Sequence, residues 1–171
     1  MKIRLETIYD YPHTEFVKHL QRTESFRFIT WPILSFDPAN GSWPERWETG
    51  RNLFRCLFLG IAPMGKQHIN ISYPSQGVEA NGLFVLRDDG EGTLMQRWDH
   101  WIYAKPHGEN QTHYVDEVVV RARYLSPIMT PFSACLLGFF TRTGSGAGEN
   151  TLHLSKHPPA RAKPLYWKAL A

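Results

Sequence analysis

Hydrophobic and polar positions alternate from the start of the chain. Ile3, Leu5, Thr7 and Tyr9 fall on one side and Lys2, Arg4, Glu6 and Ile8 on the other, the period of a half-buried strand. Pro12 then heads a segment in which Phe16, Val17 and Leu20 recur at helical spacing, predicting a short amphipathic helix, with a second short helical turn near Thr23 to Phe28. From Phe28 onward the pattern turns β-rich. Phe28 to Trp31 and Ile33 to Phe36 are expected to be extended and broken by Pro32, whose missing N–H points to an edge strand or a bulge. In the next strand, residues 51 to 59, Leu53, Arg55 and Leu57 share one face and Phe54, Cys56 and Phe58 the other. Gly60 to Gly65 reads as an apolar connection.

Four further strands are expected at 67–73, 82–87, 93–103 and 112–124. Between them lie Pro74 to Gly77, Asp88 to Gly92 and Pro106 to Asn110, all with the chemistry of hairpin turns. Short turns between successive strands make an antiparallel meander; there is no βαβ alternation and no repeat. After the last strand, Ser126-Pro127 and Thr130-Pro131 each pair an N-cap residue with Pro at the first helical position. Leu125, Ile128, Met129, Phe132, Cys135, Leu136, Phe139 and Phe140 then form a helical stripe. A helix over about 127–142 would be ~24 Å long. Gly144, Gly146 and Gly148 end it, and Pro158, Pro159 and Pro164 keep the C-terminal segment irregular. The chain of 171 residues thus divides into one α+β domain over 1–142 and an irregular tail over 143–171 that packs on the domain or extends from it.

Composition narrows the function. A net charge of +3, from 19 basic and 16 acidic residues, is mild and scattered, and no basic stripe follows any periodic segment, so a nucleic-acid partner is not expected. Cys56 and Cys135 sit in apolar runs without a partner at redox or metal spacing and read as buried thiols. The N-terminal alternation lacks the apolar core of a signal peptide, and no segment approaches ~20 apolar residues, so stable membrane insertion is not expected and the cytoplasm is the expected location. No His pair with a suitable third ligand is spaced for a metal, and Asp88 to Gly92 offers too few ligands for calcium. Gly144 to Gly148 lacks the lysine and the strand-to-helix setting of a phosphate loop. No cofactor is expected.

The candidate chemistry lies on neighbouring strands. If His107, Gly108 and Glu109 form a three-residue hairpin loop, His100 faces Asp116, with Trp98 opposite Val118 and Ile102 opposite Tyr114, and an apolar face carries a polar pair at its centre. Such a pair can satisfy itself as structure, orient a ligand, or act as a base through the imidazole. Arg55, if inward, could hold an anionic headgroup with its fork of donors; if it reaches the rim, it is solvated.

A strand, a helical pair, an antiparallel meander and a terminal apolar helix occur in the helix-grip order. The runs Pro44 to Gly50, Gly60 to Gln67, Arg87 to Gly90, Arg97 to His100, Tyr114 to Asp116 and Leu125 to Pro127 resemble bacterial members of the START-like, or SRPBCC, superfamily over roughly residues 1 to 140. That resemblance implies a curved antiparallel sheet of six to seven strands around a C-terminal helix, two short helices after strand one, and an internal cavity. It is a superfamily of lipid-transfer domains, polyketide cyclases and hydrophobic-ligand carriers. The expected lining comprises Arg55, Leu57, Trp98, His100, Tyr114 and Asp116 from the sheet. From the helix it takes Met129, Phe132 and Leu136. The sequence departs from the family at Thr141 to Gly148, which cuts the last helix short, while Tyr166 to Leu170 resembles a displaced ending. Binding, transport or sensing of an apolar molecule such as a lipid, isoprenoid or polyketide is the leading expectation, ahead of a cyclase or dehydratase using His100 and Asp116. A third is an interaction module, including a homodimer formed by tail exchange.

Overall fold

The computed structural model describes residues 2–75, 79, 81–93 and 95–122. The expected helix over 127–142, its residues Met129, Phe132 and Leu136, and the tail 143–171 lie outside the described residues. The described elements are strand β1 (Lys2–Tyr9), helices α1 (His13–Gln21) and α2 (Thr23–Thr30), and strands β2 (Leu34–Pro38), β3 (Gly50–Phe58), β4 (Ala62–Ser72), β5 (Phe84–Gly92), β6 (Met95–Pro106) and β7 (Thr112–Ala122). The strands form one antiparallel, curved sheet in the order β1-β7-β6-β5-β4-β3-β2. β2 to β7 are joined as a meander, and β1 returns along β7 with Leu5 opposite Asp116 and Thr7 opposite Tyr114.

Strand periodicity sorts the side chains onto two faces. Phe54, Ile69, Ile71, Phe84, Leu86, Ala104 and Tyr114 point to the concave side, where Tyr9, Phe16, Val17 and Trp47 join them in one core. Ile3, Val118 and Val120 form a second apolar group on the same side, with Leu5, Met95 and Trp98 against it. The helices cover the first core. α1 buries Phe16 and Val17, and its His13 Nε2 lies 3.3 Å from the Ala104 carbonyl oxygen on β6. Arg22, in extended conformation, separates the two helices and bridges to Arg46.

Three expectations change here. Phe28 to Thr30 belong to α2 rather than to a strand, because Phe26 packs on Phe36 at 5.0 Å and on Trp47 at 5.5 Å; tertiary packing overrides the β-propensity of the Phe-Ile-Thr run. Pro32 lies just before β2, which is an edge strand as expected. Gly60 to Gly65 is no loose connection, since β4 starts at Ala62 and pairs Phe58 with it. Asp88 to Gly92 continues β5 in the ladder with β6 instead of turning.

Candidate functional site

The β6–β7 hairpin fixes the site. Its loop spans 107–111, closed by the His107 N–H donating to the Gln111 carbonyl at 2.9 Å, so that Pro106 faces Thr112. The three-residue loop expected from the sequence is therefore wrong by two in register. His100 faces Val118 rather than Asp116, Trp98 faces Val120, and Ile102 faces Asp116. A slip of two leaves every side chain on its expected face, because the side-chain period is two. His100 and Asp116 still meet, now as diagonal neighbours, with His100 Nε2 2.6 Å from Asp116 Oδ1.

Asp116 is held from both sides. The Tyr114 hydroxyl donates to its Oδ2 at 3.0 Å, and the His100 Nε2–H donates to Oδ1, since an ionised carboxylate only accepts. Trp98 stands edge-on to the His100 ring at 5.9 Å. Burial pulls the His100 imidazole down, but the charge and hydrogen bond of Asp116, helped by Asp88 and Asp99, win, and its net displacement is upward.

Asp88 is the residue that the sequence pattern did not single out. Asp88-Asp89-Gly90-Glu91-Gly92 has turn composition, yet the alternation Phe84, Leu86, Asp88 continues the concave face and carries the signal. Asp88 is the direct register partner of His100. The β4–β5 ladder skips Ile69 and Asn70, and Asp88 Oδ1 accepts the Asn70 N–H at 2.8 Å in place of a backbone partner. Burial pushes the Asp88 carboxyl up to about 7, against the Asn70 hydrogen bond and the His100 charge.

Asp88, His100 and Asp116 thus form a polar band between the two apolar groups of the concave face, anchored on β5, β6 and β7. The His100 side chain is 19% exposed and that of Asp116 7%, so both are largely withdrawn from solvent on the concave face. Arg55 and Leu57 do not join them. Register with Lys66 and Ser35 places both on the outer face, opposite to Phe54, and Arg55 is exposed there. The inward Arg55 is corrected by the same alternation that buries Phe54. Among the described residues no group of three or more His, Cys, Asp and Glu side chains is arranged to hold a metal ion, and no helix is long and apolar enough to cross a membrane.

No family model matches the chain, and no curated protein does. Solved structures do. A START superfamily protein from Mycobacterium smegmatis aligns at 10% identity and TM-score 0.58, over 82% of this chain and 92% of that one. The Zhui aromatase/cyclase from Streptomyces sp. R1128 aligns at 11% identity and TM-score 0.51, over 88% and 99%. A truncated norcoclaurine synthase from Thalictrum flavum aligns at 9% identity and TM-score 0.51, over 83% and 91%. At such identities the likeness is one of fold, and it agrees with the resemblance carried by the sequence runs: the chain has the fold of the START-like superfamily.

Proposed function

We propose that the concave face binds a small, largely apolar molecule and orients it through one polar group that meets the band of Asp88, His100 and Asp116. The observation that carries this reading is the band itself. Three titratable side chains converge between the two apolar groups of the concave face, and the His100 side chain keeps 19% of its surface exposed. The His100–Asp116–Tyr114 chain pre-orients its members, so a ligand hydroxyl or carbonyl meets fixed donors and acceptors. The test uses 1-anilinonaphthalene-8-sulfonate as reporter and decanol as competitor on the full chain. Saturable displacement is expected, about tenfold weaker in the double variant His100→Leu, Asp116→Leu, which removes the polar partners in one step. Displacement that is absent, or equal in both proteins, sinks the reading.

A second reading, an acid–base enzyme of the cyclase or dehydratase kind, is favoured by the pairing of Asp88 with His100. A carboxyl group pushed up to about 7 lies beside an imidazole whose Nε2–H is held by Asp116, which leaves Nδ1 to exchange a proton with a bound molecule. Turnover of a polyketone analogue would be lost in His100→Ala; unchanged turnover removes this reading and leaves the first intact.

A further inference from the structure

The end of the molecule formed by the β3–β4 hairpin and the end of α2 exposes large apolar side chains together. Ile61 is 82% exposed, Trp31 58%, Leu59 49% and Phe28 45%. Trp31 and the hairpin meet: a Cβ at Gly60 would stand 3.3 Å from the Trp31 ring, and the Leu59 N–H donates to the Ile33 carbonyl at 2.9 Å. Two features bear on what this tip can meet.

The first is the turn. Leu59 has φ +51° and Gly60 φ +73°, and the Ile61 N–H closes on the Phe58 carbonyl at 3.2 Å, the sign pattern of a type I′ turn. Its first central position favours Asn, Asp or Gly, since a leucine there is strained. Here it carries a leucine whose side chain is half in solvent. The fold gains no backbone comfort from that choice and leaves half of the side chain in solvent.

The second is charge. Segments 27–37 and 55–66 contain three cations, Arg27, Arg55 and Lys66, and one acid, Asp37. Arg55 and Lys66 face each other across β3 and β4 on the outer face, about 10 Å below the tip by strand rise. Asp37 is the register partner of Arg55 across β2 and β3 and offsets it. Lys66 and Arg27, the latter with its guanidinium over the Trp43 ring at 5.4 Å, remain as exposed positive charges.

We propose that this tip docks on a lipid bilayer surface bearing anionic headgroups. Ile61 and Leu59 enter the acyl boundary, Trp31 sits at headgroup level where indoles are favoured, and Arg27 and Lys66 meet the phosphates. This is peripheral docking by a loop and a helix end, with no spanning element. It stands independently of the reading of the concave face.

Co-sedimentation of the full chain with vesicles tests it. Binding is expected to be about tenfold tighter to phosphatidylglycerol-containing vesicles than to pure phosphatidylcholine. Ile61→Asp lowers it about tenfold or more, because an isoleucine no longer leaves water. Leu59→Asn separates docking from folding: it relieves the turn and raises Tm while weakening vesicle binding. Failure of the unaltered protein to sediment with either vesicle overturns the proposal, and so does a Leu59→Asn variant with higher Tm and unchanged binding. Concentration-dependent self-association that Ile61→Asp abolishes, without vesicle binding, also overturns it and assigns the patch to a second copy of the chain.

Discussion

Replacing Asp88 by Asn should change the way stability depends on pH more than it changes the structure. The amide keeps an oxygen to accept the Asn70 N–H, so the break in the β4–β5 ladder stays satisfied. What disappears is ionisation. The Asp88 carboxyl is raised from 3.8 to about 7 by burial, and the residue is only 8% exposed, so solvent does little to soften the effect. A group whose folded pKa lies above its unfolded value holds a proton in the folded protein that the unfolded chain has already released. Its contribution is complete below the unfolded value and is lost as pH rises towards the folded one. A gap of about three pH units at 1.36 kcal/mol each amounts to ~4 kcal/mol, lost between about pH 4 and pH 7. His100, also raised, works in the same direction at higher pH, with stability lost as the imidazole deprotonates. Urea unfolding of the unaltered protein and of Asp88→Asn across this range measures the difference. The two should nearly coincide at about pH 4 and diverge until the variant is more stable by up to ~4 kcal/mol at about pH 8. Two curves that run parallel throughout would show that Asp88 ionises freely and is not a buried member of the band.

Two further perturbations probe the scaffold of the site. Gly90→Ala places a Cβ 2.5 Å from the His68 carbonyl oxygen, a backbone atom that cannot step aside, and should cost roughly 2 kcal/mol by thermal or urea unfolding. Tyr114→Phe removes the hydroxyl that donates to Asp116 Oδ2 and should cost about 1–2 kcal/mol while lowering affinity for the reporter dye, since among the described residues only the His100 side chain then holds the Asp116 carboxylate.

How much of the fold and site is legible in the sequence depends on the range of the interaction that decides each feature. Strand alternation is local, so β1 and the shared inward direction of His100, Tyr114 and Asp116 come from it directly; it separates the two faces of β3 but does not say which turns inward, and Arg55 and Leu57 fall on the outer one. Hairpin register depends on which loop residues close the turn, and composition does not distinguish the closure of His107 on Gln111 from a tighter loop. The end of α2 depends on Phe36 and Trp47, which are distant in sequence from Phe26. Asp88 is hidden for a different reason. Its acidic and glycine neighbours have the composition of a turn, whereas in the sheet one acid caps a broken ladder and a glycine allows close approach of the neighbouring strand.

Asp88 and Gly90 also explain why the polar band lies where it does. A continuous β4–β5 ladder would consume the Asn70 N–H in backbone pairing and leave an inward carboxylate on β5 without a donor, an expensive burial. By skipping Ile69 and Asn70, the ladder supplies that donor, and Gly90 removes the Cβ that would hold the strands apart at the same place. Asp88 is thereby fixed from β4 and paired in register with His100 on β6. His100 is fixed in turn by Asp116 on β7, and Asp116 by Tyr114 on the same strand. Among the described residues four strands position the three titratable groups, so the band is oriented before a ligand arrives. Affinity for a polar group presented to it should then respond to the loss of any one member by more than that member's own contact, because each holds the next in place.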